Sequence, residues 1–440
     1  MAIFMLAGLN GQAQNANGNT ISAKNPTGTA ATVTTAGSFD FNNPFFQSLG
    51  TNGRACATCH QPTQGWSVTP AAIQQRFRQS NGLDPIFRAV DGANCPTNFT
   101  PGNANDSTQL LNRGLIRIDR PLPANAQFTI EVADDPYNCS TPTDISVYRR
   151  PLPSTNLSFL SGVMWDQRES APGRSIPDDL TQQAFDAILG HAQAAAPPSA
   201  ATTQAIRDFE IALFTAQISD NEAGSLTANG ANGGPAALAQ QAFFLGTNDP
   251  FGGNPTGAAF DSNVFSLYES WAKSSDSSTE QARESIKRGE LLFNTFPIPI
   301  FGVAGLNGPN DTSQAVIMGT CSTCHNTPNV GNHSVSLPLN IGVADQRFST
   351  SDDPLFTLIN KVTGQVTQSS DPGVAMVSGQ WADIGKFKVP VLRGLAGRAP
   401  YFHNGSAKTL EDVVKFYKDR FNLPLSGDQA NDLANFLRSL

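Results

Sequence analysis

Two short stretches, "GRACATCHQP" and "GTCSTCHNTP", hold Cys56, Cys59 and His60, and Cys321, Cys324 and His325. The chain has six cysteines and five histidines, so six of those eleven residues sit in two loops of identical spacing. C-x-x-C-H is the spacing that attaches haem covalently: two thiols add across the porphyrin vinyl groups, and the adjacent histidine falls beneath the iron. A zinc knuckle would need two more ligands near each loop, and none is close. A redox dithiol does not need the histidine. The spacing therefore predicts two covalent haem c groups, with Cys56, Cys59, Cys321 and Cys324 as attachment points and His60 and His325 as iron ligands.

The rest of the composition narrows the class. With 440 residues the chain is long enough for two or three domains. Charged residues make up 15% and the net charge is −8, which argues against a nucleic-acid partner. No run of apolar residues is long enough for a transmembrane span. Haem is attached covalently outside the cytoplasm, so a periplasmic or otherwise exported protein is expected. The start, "MAIFMLAGLNGQAQ", reads as a remnant of a signal peptide without its charged n-region, or as a disordered N-terminus. Setting the haem cysteines aside leaves Cys95 and Cys139, for which an oxidising compartment favours a disulfide over two free buried thiols.

These residues need elements to position them. Residues 1–37 are rich in Asn, Gly, Thr and Ala and are expected to be extended or disordered. "FNNPFFQSLG" is expected to form a short apolar helix entering the first haem loop. Residues 67–147 read as a proline-rich insertion with minor β structure, from runs such as "AQFTIEV". Leu180, Ala184, Ala187 and Ile188 line one face of a helix, and Ile206, Phe209, Leu213 and Phe214 one face of another spanning 202–217. Residues 220–277 read as linker and loop. Gly289 and Phe293 share a helical face in the second half, as do Leu433, Phe436 and Leu437 near the end. A first helix, a C-x-x-C-H loop and a last helix packed across the first is the cytochrome c plan. The expected fold is mainly α: two cytochrome c-like domains, one haem each, over 38–219 and 278–440, with long loop insertions.

"GELLF", "CSTCHNTPNVGNHS" and "FKVPVLRGLAGRAPYFHNGSAKTLEDVV", with "CATCHQP" and "MWDQRES", resemble the bacterial di-haem cytochrome c peroxidases and their MauG-like relatives. The likeness covers roughly 40–66, 148–217 and 278–440. It implies that Trp165, in "MWDQR", sits between the haems and relays electrons, unless it is a plain core tryptophan. It implies a sixth ligand for the C-terminal haem fourteen residues after His403, which is Tyr417. A phenolate donates more strongly than the thioether found in the peroxidases and favours ferric iron. A tyrosine packed on the C-terminal helix is the alternative. The resemblance places His333 and His403 near the second haem, bonded to propionates or backbone.

Several departures matter. The peroxidases close the resting N-terminal haem with a histidine after C-x-x-C-H, and here no histidine lies between His60 and His191. Gln183 aligns with a family glutamine, but the family's acid–base glutamate falls near "GHAQ", where no carboxylate stands. His191 is the candidate proton carrier at that place, with a sixth iron ligand and a surface histidine as alternatives. The family's inter-domain calcium also loses its usual asparagine: Arg150 stands there, with Arg398 near, and two arginines argue against calcium and for pairing with propionates.

The leading expectation is a di-haem oxidoreductase. Its N-terminal haem reacts with peroxide or dioxygen, and its C-terminal haem exchanges electrons with a small redox protein. An oxygenase for an apolar substrate, as in rubber-cleaving relatives, and a pure electron carrier are the alternatives.

Overall fold

The structure is a computed structural model that describes residues 14–271, 276–308 and 311–440. Six helices frame it: α1 (Pro70–Ser80), α2 (Ile176–Gly190), α3 (Ala200–Ile211), α4 (Ser278–Thr295), α5 (Leu410–Arg420) and α6 (Gly427–Arg438). Each starts at a Ser or Thr whose side chain accepts from the backbone two or three residues into the first turn, as with Ser175, Ser199, Ser277, Thr409 and Ser426.

Helices α4 and α6 cross where Gly289 faces Asp432; a Cβ at Gly289 would collide with the Asp432 carbonyl. Phe265, Phe293 and Phe436 then interlock edge to face, with ring centroids 5.1 to 5.7 Å apart. Each such buried ring contributes roughly 1.5–3 kcal/mol of hydrophobic stabilisation. A second core packs Phe45, Trp66, Ala184, Ile188, Ile206 and Phe209 against Cys56. The inward positions read from helical periodicity on α2 and α3 thus sit directly behind the first haem loop.

The content is mixed rather than mainly α. Among the described residues a five-stranded antiparallel sheet runs β1 (Gln14–Asn17), β2 (Thr20–Asn25), β3 (Gly28–Thr34), then β7 (Leu213–Asp220) and β8 (Gly224–Ser225). Between β3 and β7 in sequence come β4 (Ile116–Pro121), β5 (Phe128–Asp134) and β6 (Asp144–Arg149). Two small pairs, β4–β6 and β9 (Ile298–Phe301) with β10 (Val316–Gly319), lead into the functional loops. Strand β5 pairs with β11 (Leu355–Asn360), which pairs in turn with β12 (Val366–Ser369).

Four sequence expectations change. The segment up to Thr34 is not disordered where it is described: β3 pairs with β7, and Thr32 and Thr215 bond through their hydroxyls at 2.7 Å in the interior. The signal-remnant reading of residues 1–13 lies outside the described residues. The helix expected over 202–217 stops at Ile211, because Phe214, Thr215 and Ile218, β-favouring residues, continue as β7. The helix expected at "FNNPFFQSLG" is one tight turn, Pro44–Phe46, whose rings pack sideways on Trp66 and Phe209. The 220–277 stretch is largely irregular, but Val264, Phe265, Leu267, Tyr268 and Trp271 are buried in the α4–α6 core, so it is no free linker.

The halves are also tied together. Through β5, the 67–147 insertion adds a strand to a sheet of the C-terminal half. Arg149 lies fully buried between Asp166 at 2.6 Å and Asp371 at 2.6 and 2.9 Å. Burial alone would raise the Asp166 carboxyl, but Arg149, Arg168 and Arg120 overcome it and hold the group well below the usual carboxylate range.

Candidate functional site

Each C-x-x-C-H loop opens into its own cavity. The first is lined by Cys56, Cys59, His60, Trp165, Gln183, His191 and Glu210. The second is lined by Cys321, Cys324, His325, Trp165, His403 and Tyr417. Both loops begin as a tight 3-10 turn, Cys56–Thr58 and Cys321–Thr323, whose third residue, Thr58 or Thr323, bonds back to the turn's entry. The two thiols and the following imidazole of each loop all line the same cavity.

The donor chemistry fits haem c. His60 Nδ1 lies 3.2 Å from the Trp66 carbonyl oxygen and His325 Nδ1 2.8 Å from that of Gly331. A carbonyl only accepts, so Nδ1 carries the hydrogen and the Nε2 lone pair is left for iron. Burial lowers both imidazoles to about 4, which keeps them neutral. Burial likewise raises Cys321 and Cys324 to about 12 and pushes Cys56 and Cys59 up. Such sites disfavour thiolates and accept uncharged thioethers. Among the described residues no group of three or more His, Cys, Asp or Glu side chains is placed to hold a bare metal ion.

Trp165 lines both cavities. Its Nε1 donates to the Arg150 carbonyl at 2.8 Å, and its ring lies 6.2 Å from that of His403. His403 stacks on Phe387 at 4.0 Å. Tyr417 reaches the second cavity from α5, with its phenol pushed up by burial. His333 is buried but lines neither cavity, and neither ring nitrogen has a hydrogen-bond partner among the described residues. Arg150 does not stand free for a propionate as expected. Its guanidinium donates to four backbone carbonyls, those of Val68, Arg113, Gly114 and Arg398. Cys95 and Cys139 are bonded, with Cα atoms 5.4 Å apart, in the insertion.

In the first cavity Gln183, from the middle of α2, and His191, at its C-terminal end, both line the wall. His191 Nδ1 meets Asp91 Oδ2 at 2.7 Å, and Arg54 Nη1 meets the same oxygen at 2.7 Å. Arg54 also donates to the carbonyls of Pro85, Ile86, Arg88 and Val90, so it clamps the loop that carries Asp91. Burial works against the Asp91 charge, but His191 and Arg54 overcome it and hold the carboxyl below its usual range. Asp91 and Arg54 escaped sequence reading. Asp91 is a hundred residues from His191, and nothing local marks it.

Glu210 escaped as well, though a carboxylate four residues after Ile206, on the buried face of α3, was a readable signal. It is buried with one oxygen unpartnered, and burial raises it to about 8. The first cavity therefore has an oriented imidazole and an uncharged carboxyl in its wall.

No family model matches the chain. A cytochrome-c peroxidase of Denitromonas iodatirespirans is 32% identical over 142 residues, covering 28% of this chain and 36% of the relative. The cytochrome c551 peroxidase of Nitrosomonas europaea is 31% identical over 121 residues, covering 27% of this chain and 30% of the relative. Over about a quarter of its length the chain is similar to these bacterial cytochrome c peroxidases. It spans about a third of the length of the curated peroxidases it matches. A solved MauG-like protein associated with microbial copper homeostasis overlays loosely on this chain, at 14% identity and a TM-score of 0.37 over 90% of this chain and 87% of that one. No helix of the described residues is long and apolar enough to cross a membrane.

Proposed function

We propose that the protein is an exported di-haem oxidoreductase, with one haem c at Cys56, Cys59 and His60 and a second at Cys321, Cys324 and His325. Each is held in a cytochrome c-like half, 38–219 and 278–440. Hydrogen peroxide, or dioxygen, reacts in the first cavity. Electrons from a small redox protein enter at the second and pass through Trp165. The observation that carries this reading is the position of Trp165 in the wall of both cavities.

Bound haem supplies electron transfer to the O–O bond. The chain supplies the proton handling. With Nδ1 held by Asp91, His191 presents Nε2 as base and then acid. It takes a proton from one oxygen of hydrogen peroxide and returns it to the other as the bond breaks. Two electrons and two further protons from solvent complete two waters. Gln183, in the same wall, hydrogen-bonds the substrate oxygens. In this reading Tyr417, which lines the second cavity, would help hold the iron of the second haem and favour its ferric state.

The oxygenase alternative draws on Ile116 and Ile118, which the insertion contributes to the first cavity and which suit an apolar substrate. An electron paramagnetic resonance spectrum of the resting protein, followed by peroxide titration, tests the choice. One high-spin ferric haem that reacts with stoichiometric peroxide supports the proposal. Two low-spin haems inert to peroxide make the protein a carrier. A high-spin haem inert to peroxide that binds dioxygen favours the oxygenase.

A further inference from the structure

The second cavity is walled almost wholly by apolar side chains, among them Leu339, Phe387, Val413 and Leu437. Lys388 and Arg398 interrupt that wall. Lys388 is 3% exposed, and its Nζ sits 5.9 Å from the centre of the Trp165 ring. No carboxylate among the described residues pairs with it, and its backbone N–H is fixed to the Trp165 carbonyl at 2.8 Å. Arg398 gives Nη2 to the carbonyls of Val391 and Arg393, while its Nε is buried without a partner. Arg149, equally interior, is neutralised by Asp166 and Asp371. A buried cation without such partners destabilises the fold unless a bound group brings the counter-charge.

We propose that Lys388, backed by Arg398, is the seat of a propionate of the haem attached at Cys321 and Cys324, fixing that haem with its propionate edge beside Trp165. The bound group must be an apolar body with an anionic edge, because the walls are apolar and the cations lie together. Porphyrin carries its two carboxylates on the edge opposite the thioether-bearing rings, which meets both conditions. A small inorganic anion would leave the apolar wall unfilled. Burial, with Arg398 beside it, lowers the free ammonium to about 7, so the anion is what keeps Lys388 charged. The inference rests on haem attachment at the second loop and is independent of any reaction with peroxide.

The test is resonance Raman spectroscopy and redox potentiometry on the mature, two-haem protein. In Lys388→Met the propionate bending bands of one haem should shift, and the potential of that haem should fall, while the other haem is unchanged. Lys388→Arg should restore both. Should the Met variant fail to load two haems, Lys388→Gln reads the same bands. Bands and potential that do not move in a fully loaded variant overturn the proposal. So does a wild-type potential that tracks added chloride or phosphate and loses that response in the variant, since a free anion would then hold the seat. Intact mass counts the haems in each sample, so a failure of attachment is told apart from a failure of the seat.

Discussion

Asp91 Oδ2 lies 2.7 Å from His191 Nδ1, although the two residues are a hundred positions apart. The carboxylate accepts, so the imidazole hydrogen is held on Nδ1 and the second ring nitrogen is left basic. Asp91 is a positioning residue in this arrangement. Its loop is held by Arg54, which stands two residues before Cys56.

Removing the imidazole should slow reaction with peroxide by about a hundred- to ten-thousand-fold in His191→Ala, with the N-terminal haem spectrum still high-spin. Asp91→Asn should slow it by roughly ten- to a hundred-fold and shift the pH profile of the rate, whereas Asp91→Glu should recover part of it. Stopped-flow absorbance against pH reads all three. If His191→Ala instead turns a low-spin haem high-spin and speeds the reaction, His191 is an iron ligand and the proton-carrier role falls.

Haem attachment is checked by mass. Cys56→Ala or Cys321→Ala should each lower the haem content from two towards one per chain when the protein matures in a periplasm that attaches haem. Unmodified wild-type protein from the same host would refute the attachment sites.

Tyr417→Phe should leave the second haem five-coordinate or water-bound, changing both its optical and its paramagnetic spectra. Unchanged spectra would remove Tyr417 from the ligand set and leave it as a packing residue of α5.

The Arg149 cluster should govern acid stability. Asp166 and Asp371 have folded-state affinities for protons depressed by Arg149, so their contribution is present above the ordinary aspartate value of about 3.9 and is lost as pH falls below it. Asp371→Asn should destabilise the protein by roughly 3–5 kcal/mol at pH 7 and flatten the loss of stability below about pH 4. Thermal melts at pH 7 and pH 3 measure both effects. A melt at pH 7 unchanged by the substitution would show that the cluster does not hold the halves together.

The two C-x-x-C-H loops stand out in the sequence because their chemistry is local: two thiols and an imidazole within five residues need no distant partner to mark a candidate haem site. The buried faces of α2, α3, α4 and α6 were legible for a similar reason, since helical periodicity sorts side chains by direction before any tertiary contact forms. The sequence reads residues 212–217 as helix because their apolar spacing suits either period, and only the edge of β3, nearly two hundred residues away, makes them part of a strand. The hairpin before Thr34 was misread for the same cause, its polar composition concealing a partner in β7. Tertiary structure alone placed Asp91 against His191, brought Trp165 into the wall of both cavities, turned Arg150 onto backbone carbonyls and left Lys388 without a counter-ion. Sequence determines which groups a chain owns and how near neighbours are spaced. Burial and charge pairing depend on which distant segments pack together, and these set protonation and the demand for a partner.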